Sequence, residues 1–242
     1  VSALVLIAAP ALALVLNLSL TPLIVRTAHR RRWFDDIDER KIHTRATPRL
    51  GGVGFVVASL LAAAAGFMLA PDILGEVRGP LLLLAGIGGI HLLGLVDDFR
   101  NLHAAVKLAG QVLFALLIAL GAPLESVVIG SASLDLEALA VPITVLWLVG
   151  LGNAVNLLDG MDGLAGGTSA IAALVFALIA LASGNLASAL WGLSLFAAVG
   201  GFLVFNLPRA RIFMGDSGSL FLGYGLGILP LLQSSAASHA PL

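Results

Sequence analysis

Five carboxylates stand at the ends of apolar runs. Asp97 and Asp98 close the run 81–96. Asp159 and Asp162 follow the run 141–151, within Asn-Ala-Val-Asn-Leu-Leu-Asp-Gly-Met-Asp-Gly, and Asp216 lies in Ile-Phe-Met-Gly-Asp-Ser-Gly-Ser between two further runs. Removing a charged group from water at the edge of a membrane span is costly unless it is paired, so each of these residues is a functional candidate. Clustered carboxylates with neighbouring amides suit a hard, oxygen-preferring cation. Mg²⁺ in particular is held by one or two carboxylates together with substrate phosphates, and Lys and Arg suit the phosphate oxygens. The chemistry such a set supports is phosphoryl transfer or diphosphate cleavage, an in-line displacement stabilised mainly by charge. The chain has no Walker loop and no kinase signature, so a nucleoside triphosphate is not favoured.

Composition requires that these residues be positioned by membrane helices. Of the 242 residues, 59% are hydrophobic and 11% charged, against roughly 25% charged in a soluble domain; mean hydropathy is +1.05. The expected fold is therefore an all-α polytopic membrane protein, one integral membrane domain over residues 1–242. There is no Cys, which excludes disulfide and thiolate chemistry. With a net charge of −1, no basic tail and no nucleic-acid motif, nucleic acid is excluded as a partner. The run 3–20 is too long and uniform for a cleaved signal peptide and reads as a first span, of a chain whose N-terminus lies further upstream.

Runs near span length fall at 3–25, 51–69, 81–96, 106–120, 139–153, 165–181, 187–205 and 220–232, about eight transmembrane helices. The weak alternation over 127–136 suggests a small hairpin outside the bilayer. Thirteen Lys and Arg set the orientation. Alternating spans place Arg26, Arg30–Arg32, Arg40, Lys41, Arg45, Arg49, Arg100, Lys107, Arg209 and Arg211 on one side and leave only Arg78 on the other. The positive-inside rule makes the first side cytoplasmic. The same alternation places Asp97, Asp98, Asp159, Asp162 and Asp216 on that side, so three separate acidic motifs and nearly all the cations converge there.

Four stretches carry a resemblance. They are Arg40-Lys41-Ile-His43 leading to Pro48-Arg-Leu-Gly-Gly52; Gly94-Leu-Val-Asp-Asp98; Asn153 to Gly166; and Phe205-Asn206 through Ile212-Phe-Met-Gly-Asp-Ser-Gly-Ser to Gly223. In order and spacing over residues 20–230 the chain resembles the polyprenyl-phosphate N-acetylhexosamine-1-phosphate transferases, the MraY/WecA superfamily of glycosyltransferase family 4. Pro-Arg-Leu-Gly-Gly resembles the WecA-like branch, which uses UDP-N-acetylglucosamine or a related sugar. The branch using UDP-MurNAc-pentapeptide tends to show Pro-Thr-Met-Gly-Gly.

The resemblance implies transfer of N-acetylhexosamine-1-phosphate from a UDP-sugar to undecaprenyl phosphate, releasing UMP and initiating cell-envelope polysaccharide synthesis. It implies a multi-pass protein of the bacterial plasma membrane with a cytoplasmic site. It also implies Mg²⁺ as cofactor, with Mn²⁺ as substitute, and membrane lipids and a second copy of the chain as further partners. By motif, Asp216 is the expected metal ligand with Asn156 as a second contributor, and Asp97 and Asp98 are expected to orient or deprotonate the lipid phosphate. Asp159 and Asp162 are expected near the nucleoside and phosphates. Asn206 and Phe213 are expected to line the uridine pocket, and Lys107 to lie near the phosphates. Lys41, Arg49 and Asn153 complete the substrate-binding set. The family carries a further cytoplasmic loop with a His-x-His motif and then more spans, which would begin about where this sequence stops at Leu242.

Plainer readings compete for each motif taken alone. A pair of Asp can mark the end of a span, and Asp-Gly-Met-Asp-Gly can be a polar turn. Gly86, Gly88 and Gly89 inside a span are more economically read as helix packing, His91 as a packed helix residue, and Arg30–Arg32 as a headgroup anchor. The alternative function is an ion-coupled transporter with an acidic cation path, which needs carboxylates at mid-membrane depth in both halves of the chain. The sequence puts them at one face.

Overall fold

A computed structural model describes residues 2–33, 47–75, 77–129 and 132–237. The chain forms α1 (Ser2–Arg31), α2 (Gly51–Leu69), the short α3 (Pro71–Leu74), α4 (Pro80–Arg100), α5 (Ala104–Gly121), the strands β1 (Ser126–Ile129) and β2 (Ala132–Asp135), then α6 (Ala140–Leu158), α7 (Leu164–Ala182), α8 (Leu186–Asn206) and α9 (Gly215–Ala237). The two strands pair antiparallel, with Ser126 opposite Asp135 and Ile129 opposite Ala132, which is the hairpin expected over 127–136.

Among the described residues seven helices are long and apolar enough to cross a bilayer: α1, α2, α4, α5, α6 with the turn before it, α7 and α8. The chain is a multi-pass helical membrane protein. The eighth expected run, 220–232, lies in α9, which behaves differently from the others. Residues 217–229 are all buried, and the helix packs against α2, α4, α6, α7 and α8. A helix shielded by protein on every side need not present hydrocarbon to lipid, so α9 carries glycine, serine and tyrosine where the outer helices carry Leu and Val.

Polar side chains hold this central helix. Trp191 Nε1 donates to Gly225 O (2.8 Å), Ser188 Oγ to Leu229 O (3.1 Å), Trp147 Nε1 to Gly227 O (3.1 Å) and Asn185 Nδ2 to Leu232 O (2.8 Å). Asn185 also caps α8, accepting from Ser188 N at 2.8 Å. At the periphery Asn17 on α1 donates to Ala198 O on α8 (2.7 Å) and accepts from Thr21 Oγ1 (2.9 Å). An apolar cavity of about 550 Å³, lined in part by Leu60, Phe67, Leu83, Ile87 and Trp191, lies in the half of the bundle away from the acidic motifs and brings no charge to them.

The Asn17 bridge sets a first test. Asn17 is fully buried, and interhelical hydrogen bonds of this kind average about 0.6 kcal/mol in a membrane protein and reach about 1.7. Asn17→Leu is expected to lower stability in detergent unfolding by about that amount. A variant as stable as the parent would mean that packing alone joins α1 to α8.

Candidate active site

The acidic motifs meet around the first turn of α9. The first N–H groups of a helix have no partner within it, and here they lie inside the protein. Asp98, near the end of α4, supplies two acceptors: its Oδ1 accepts from Asp216 N (2.8 Å) and its Oδ2 from Ser217 N (3.0 Å). Asp159, just past α6, accepts from Gly215 N. Gly215 is in the left-handed region (φ +72°), and a Cβ there would collide with the carbonyl oxygen of Arg49 and the Asp98 carboxylate, so glycine is required by both backbone and space. His91, two turns before Asp98, places Nδ1 3.0 Å from Ser217 O and its ring edge-on to Phe221.

The Pro48–Gly52 motif reaches the same point through its backbone. Phe213 N donates to Pro48 O (2.7 Å), Gly51 N to Phe213 O (2.9 Å) and Gly52 N to Met214 O (2.9 Å). The orphan N–H groups of α2 are thus satisfied by the segment that leads into α9. Two motifs some 160 residues apart in sequence form one backbone ladder.

On this base sit the charged side chains. Lys107, in the first turn of α5, lies between two carboxylates: its Nζ is 2.8 Å from Asp97 Oδ2 and also donates to Asp216 Oδ2. Asp97 is only 8% exposed, and its other oxygen accepts from Leu102 N at 2.6 Å, closing the α4–α5 turn. Asn156 on α6 donates to Asp216 Oδ1 (2.7 Å) and to Ser219 Oγ (2.8 Å). Arg49 adds a second positive charge close enough to act on Asp159. Burial, and then the negative charges of Asp216 and Asp98, push the Asp159 carboxyl up to about 8, against the opposing pull of the Gly215 N–H and Arg49.

Asp97, Asp98, Asp159, Asp216, Lys107, Asn156 and Arg49 therefore form one group. A second group lies beside it. Asp162 Oδ2 accepts from Ala210 N (3.0 Å), while Asn206, 3% exposed, accepts from Gly163 N (3.1 Å) and donates to Ile212 O (2.9 Å). These two residues tie the loop 207–214 to the turn after α6, and with it half-buried Phe213. Asn153 sits deeper, one turn below Asn156, against Gln111. Lys41 lies outside the described residues. Sequence reasoning missed Gln111 and Ser219 and did not foresee the polar contact of His91; Gln111, a polar residue amid an apolar run, was the available signal.

Among the described residues no three His, Asp or Glu side chains form a ready metal site. The convergence of Asp97 and Asp216 on the Lys107 ammonium is nonetheless a place built for positive charge. A cation held by one or two carboxylates and completed by substrate oxygens fits that donor set, which is the usual habit of Mg²⁺.

Fold and site together define a polytopic membrane protein with an acidic, cation-bearing centre at one end of its bundle. Comparison with known proteins gives the family. Residues 80–234 match the model of glycosyl transferase family 4. The chain is 38% identical over 218 residues to a probable undecaprenyl-phosphate N-acetylglucosaminyl 1-phosphate transferase of Bacillus subtilis, covering 89% of this chain and 59% of that protein. It is 38% identical over 261 residues to the phospho-N-acetylmuramoyl-pentapeptide-transferase of Desulforudis audaxviator, covering 94% of this chain and 76% of that protein. A phospho-N-acetylmuramoyl-pentapeptide-transferase of Halalkalibacterium halodurans is 35% identical over 243 residues. The chain belongs to glycosyl transferase family 4, within the polyprenyl-phosphate N-acetylhexosamine-1-phosphate transferase superfamily.

Two predictions follow from the cap of α9. Asp98→Ala leaves two buried N–H groups without an acceptor and is expected to lower unfolding stability by about 1–3 kcal/mol. Wild-type melting with lost activity would instead place Asp98 on substrate. The second concerns Asp159, whose folded-state value of about 8 lies above the ordinary 3.8. The folded state then holds a proton that the unfolded state releases between these values, so Asp159 favours folding at low pH and this contribution is lost as pH rises towards about 8. Melting temperature in metal-free detergent should fall from pH 5 to pH 8, and Asp159→Asn should flatten the slope. An unchanged slope in the variant would exclude Asp159 as its source.

Proposed function

We propose that this protein transfers N-acetylhexosamine-1-phosphate from a UDP-sugar to undecaprenyl phosphate at the cytoplasmic face of the bacterial plasma membrane, releasing UMP, with GlcNAc-1-phosphate as the favoured group. The observation that carries this reading is the pair of carboxylates, Asp97 and Asp216, drawn together around Lys107 at the end of the bundle where the basic residues lie. Membership of the family and the Pro48–Gly52 motif support it. The relatives split between two donors, which makes the sugar a matter for experiment.

In the proposed reaction an oxygen of the lipid phosphate attacks the phosphorus that bears the sugar. The bond to the UMP phosphate breaks, and UMP leaves with the electron pair. Asp216 and Asp97 would hold Mg²⁺, with Asn156, whose amide nitrogen donates to Asp216 Oδ1, as a further contributor, and the ion would supply charge neutralisation on the diphosphate oxygens when bound. Lys107 and Arg49 bind and orient phosphate oxygens. Asp97 stands where it can hold the acceptor phosphate or take its proton, and phosphate monoesters have a second pKa near 6. Asp98 and Asp159 position Asp216 by fixing the helix end from which it projects. The loop 207–214, tied down by Asp162 and Asn206, carries Phe213 towards the nucleoside.

Membranes containing the protein expressed from its whole gene should move label from UDP-GlcNAc into butanol-extractable lipid and release UMP; no labelled lipid from UDP-GlcNAc or UDP-MurNAc-pentapeptide would refute the proposal. Asp216→Asn keeps shape but removes a metal-binding charge. Loss of about 3–4 kcal/mol of barrier stabilisation corresponds to a 10²–10³-fold fall in turnover. Near-normal turnover in saturating Mg²⁺ would remove Asp216 from the metal site.

A further inference from the structure

Directly beneath the charged group lies a second tier of contacts between the same three helices. Gln111 is one turn below Lys107 on α5, about 6 Å along the axis. Asn153 is one turn below Asn156 on α6, and Gly223 one turn below Ser219 on α9. Gln111 and Asn153 exchange hydrogen bonds through their amides: Asn153 Nδ2 donates to Gln111 Oε1 (2.7 Å) and Gln111 Nε2 to Asn153 Oδ1 (3.3 Å). Asn153 Nδ2 also donates to Val149 O at 2.8 Å. Tyr224, fully buried, donates its hydroxyl to Gln111 O at 2.8 Å. At the same level α6 and α9 touch backbone to backbone, since a Cβ on Gly223 would stand 2.6 Å from Leu151 O and one on Gly152 would stand 2.7 Å from the Tyr224 ring.

Each helix thus has a tie in the lower tier and a site residue in the upper tier. A helix turn is stiff, so fixing the rotation and height of α5 at Gln111 fixes Lys107, and fixing α6 at Asn153 fixes Asn156. Those two residues hold the Asp216 carboxylate from either side.

We propose that Gln111, Asn153 and Tyr224 form a positioning clasp that sets the register of Lys107 and Asn156 around Asp216, and that Asn153 serves the reaction through this clasp rather than by touching substrate. The clasp rests on the transfer reaction proposed above. Gln111 is 1% exposed, and with Asn153 it forms a reciprocal amide pair. An amide that has found its partner inside a membrane protein is a structural tie first. Side chains that orient the groups around a metal are worth about 10–100-fold in activity or metal affinity when removed, while a single interhelical hydrogen bond contributes little to stability. A positioning role and a purely structural one therefore differ in what they move.

The test compares Gln111→Leu, Asn153→Leu, the double variant and Tyr224→Phe in protein made from the whole gene. Transfer is read with saturating lipid, UMP affinity by calorimetry, and folding by thermal melts. The expected result is a fall in kcat of about 10–100-fold in each Leu variant, with UMP affinity held within about threefold. The double variant should be no slower than either single one, because both break the same tie. Tyr224→Phe keeps the core filled and should give a smaller fall in kcat with unchanged melting, which guards against misfolding of the Leu variants. Variants with parental kcat overturn the clasp, as does additive loss in the double variant. A large loss of UMP affinity in Asn153→Leu alone would return Asn153 to the substrate. A parent that transfers no sugar phosphate while still binding UMP refutes the proposed reaction itself, a result distinguishable from failure of the clasp.

Discussion

The structure turns on a helix that begins inside the protein. Water normally satisfies the first N–H groups of a helix, but α9 starts among α2, α4 and α6 and has to find acceptors there. Asp98 and Asp159 meet this need with carboxylates from two other helices. The positive end of the helix dipole favours negative charge there, and α4 and the turn after α6 are each thereby tied to the start of α9. The acidic residues that make the site conspicuous in sequence are in part the means by which the bundle closes. Asp216, the residue just inside that end, inherits a fixed position.

The same economy governs the backbone ladder between Pro48–Gly52 and Ile212–Met214. The N-terminus of α2 has no side-chain cap, so its first donors use carbonyls of the segment entering α9. The segment entering α9 satisfies the start of α2, and Gly51 and Gly52 stand there because a Cβ on either would collide with Phe213 O or the Gly218 backbone. This explains physically why these motifs occur together: each is half of a contact that neither can complete alone.

Much of this was legible in the sequence, and the limits have definite causes. Apolar runs and the distribution of Lys and Arg gave the spans and placed the acidic motifs at one end; weak alternation gave the hairpin. The distinct character of α9 was harder to see, because hydropathy measures apolarity and not what covers it. The roles of Asp97 and Asp98 could not be separated, since adjacent residues on a helix point about 100° apart. One of them faces Lys107 and the α4–α5 turn while the other faces α9. The pairing of Asn153 with Gln111 was not foreseen, because Gln111 stands 42 residues away with no motif of its own. A lone amide in a span announces that it has a partner and conceals which.

Charge balance explains why the site needs so much neutralisation. Among the described residues, the carboxylates of Asp97, Asp98, Asp159 and Asp216 gather around Lys107 and Arg49. A proton on Asp159 reduces the repulsion; burial first, and then the neighbouring charges of Asp216 and Asp98, raise its pKa. In the proposed reaction a nucleotide diphosphate would add negative charge beside these carboxylates, in surroundings where water screens little. The Lys107 ammonium cannot answer alone, because Asp97 and Asp216 already share it. A divalent cation arriving with the substrate would release Lys107 to the phosphate oxygens while leaving the carboxylates satisfied. Ground-state repulsion and the means of relieving it then reside in the same three side chains.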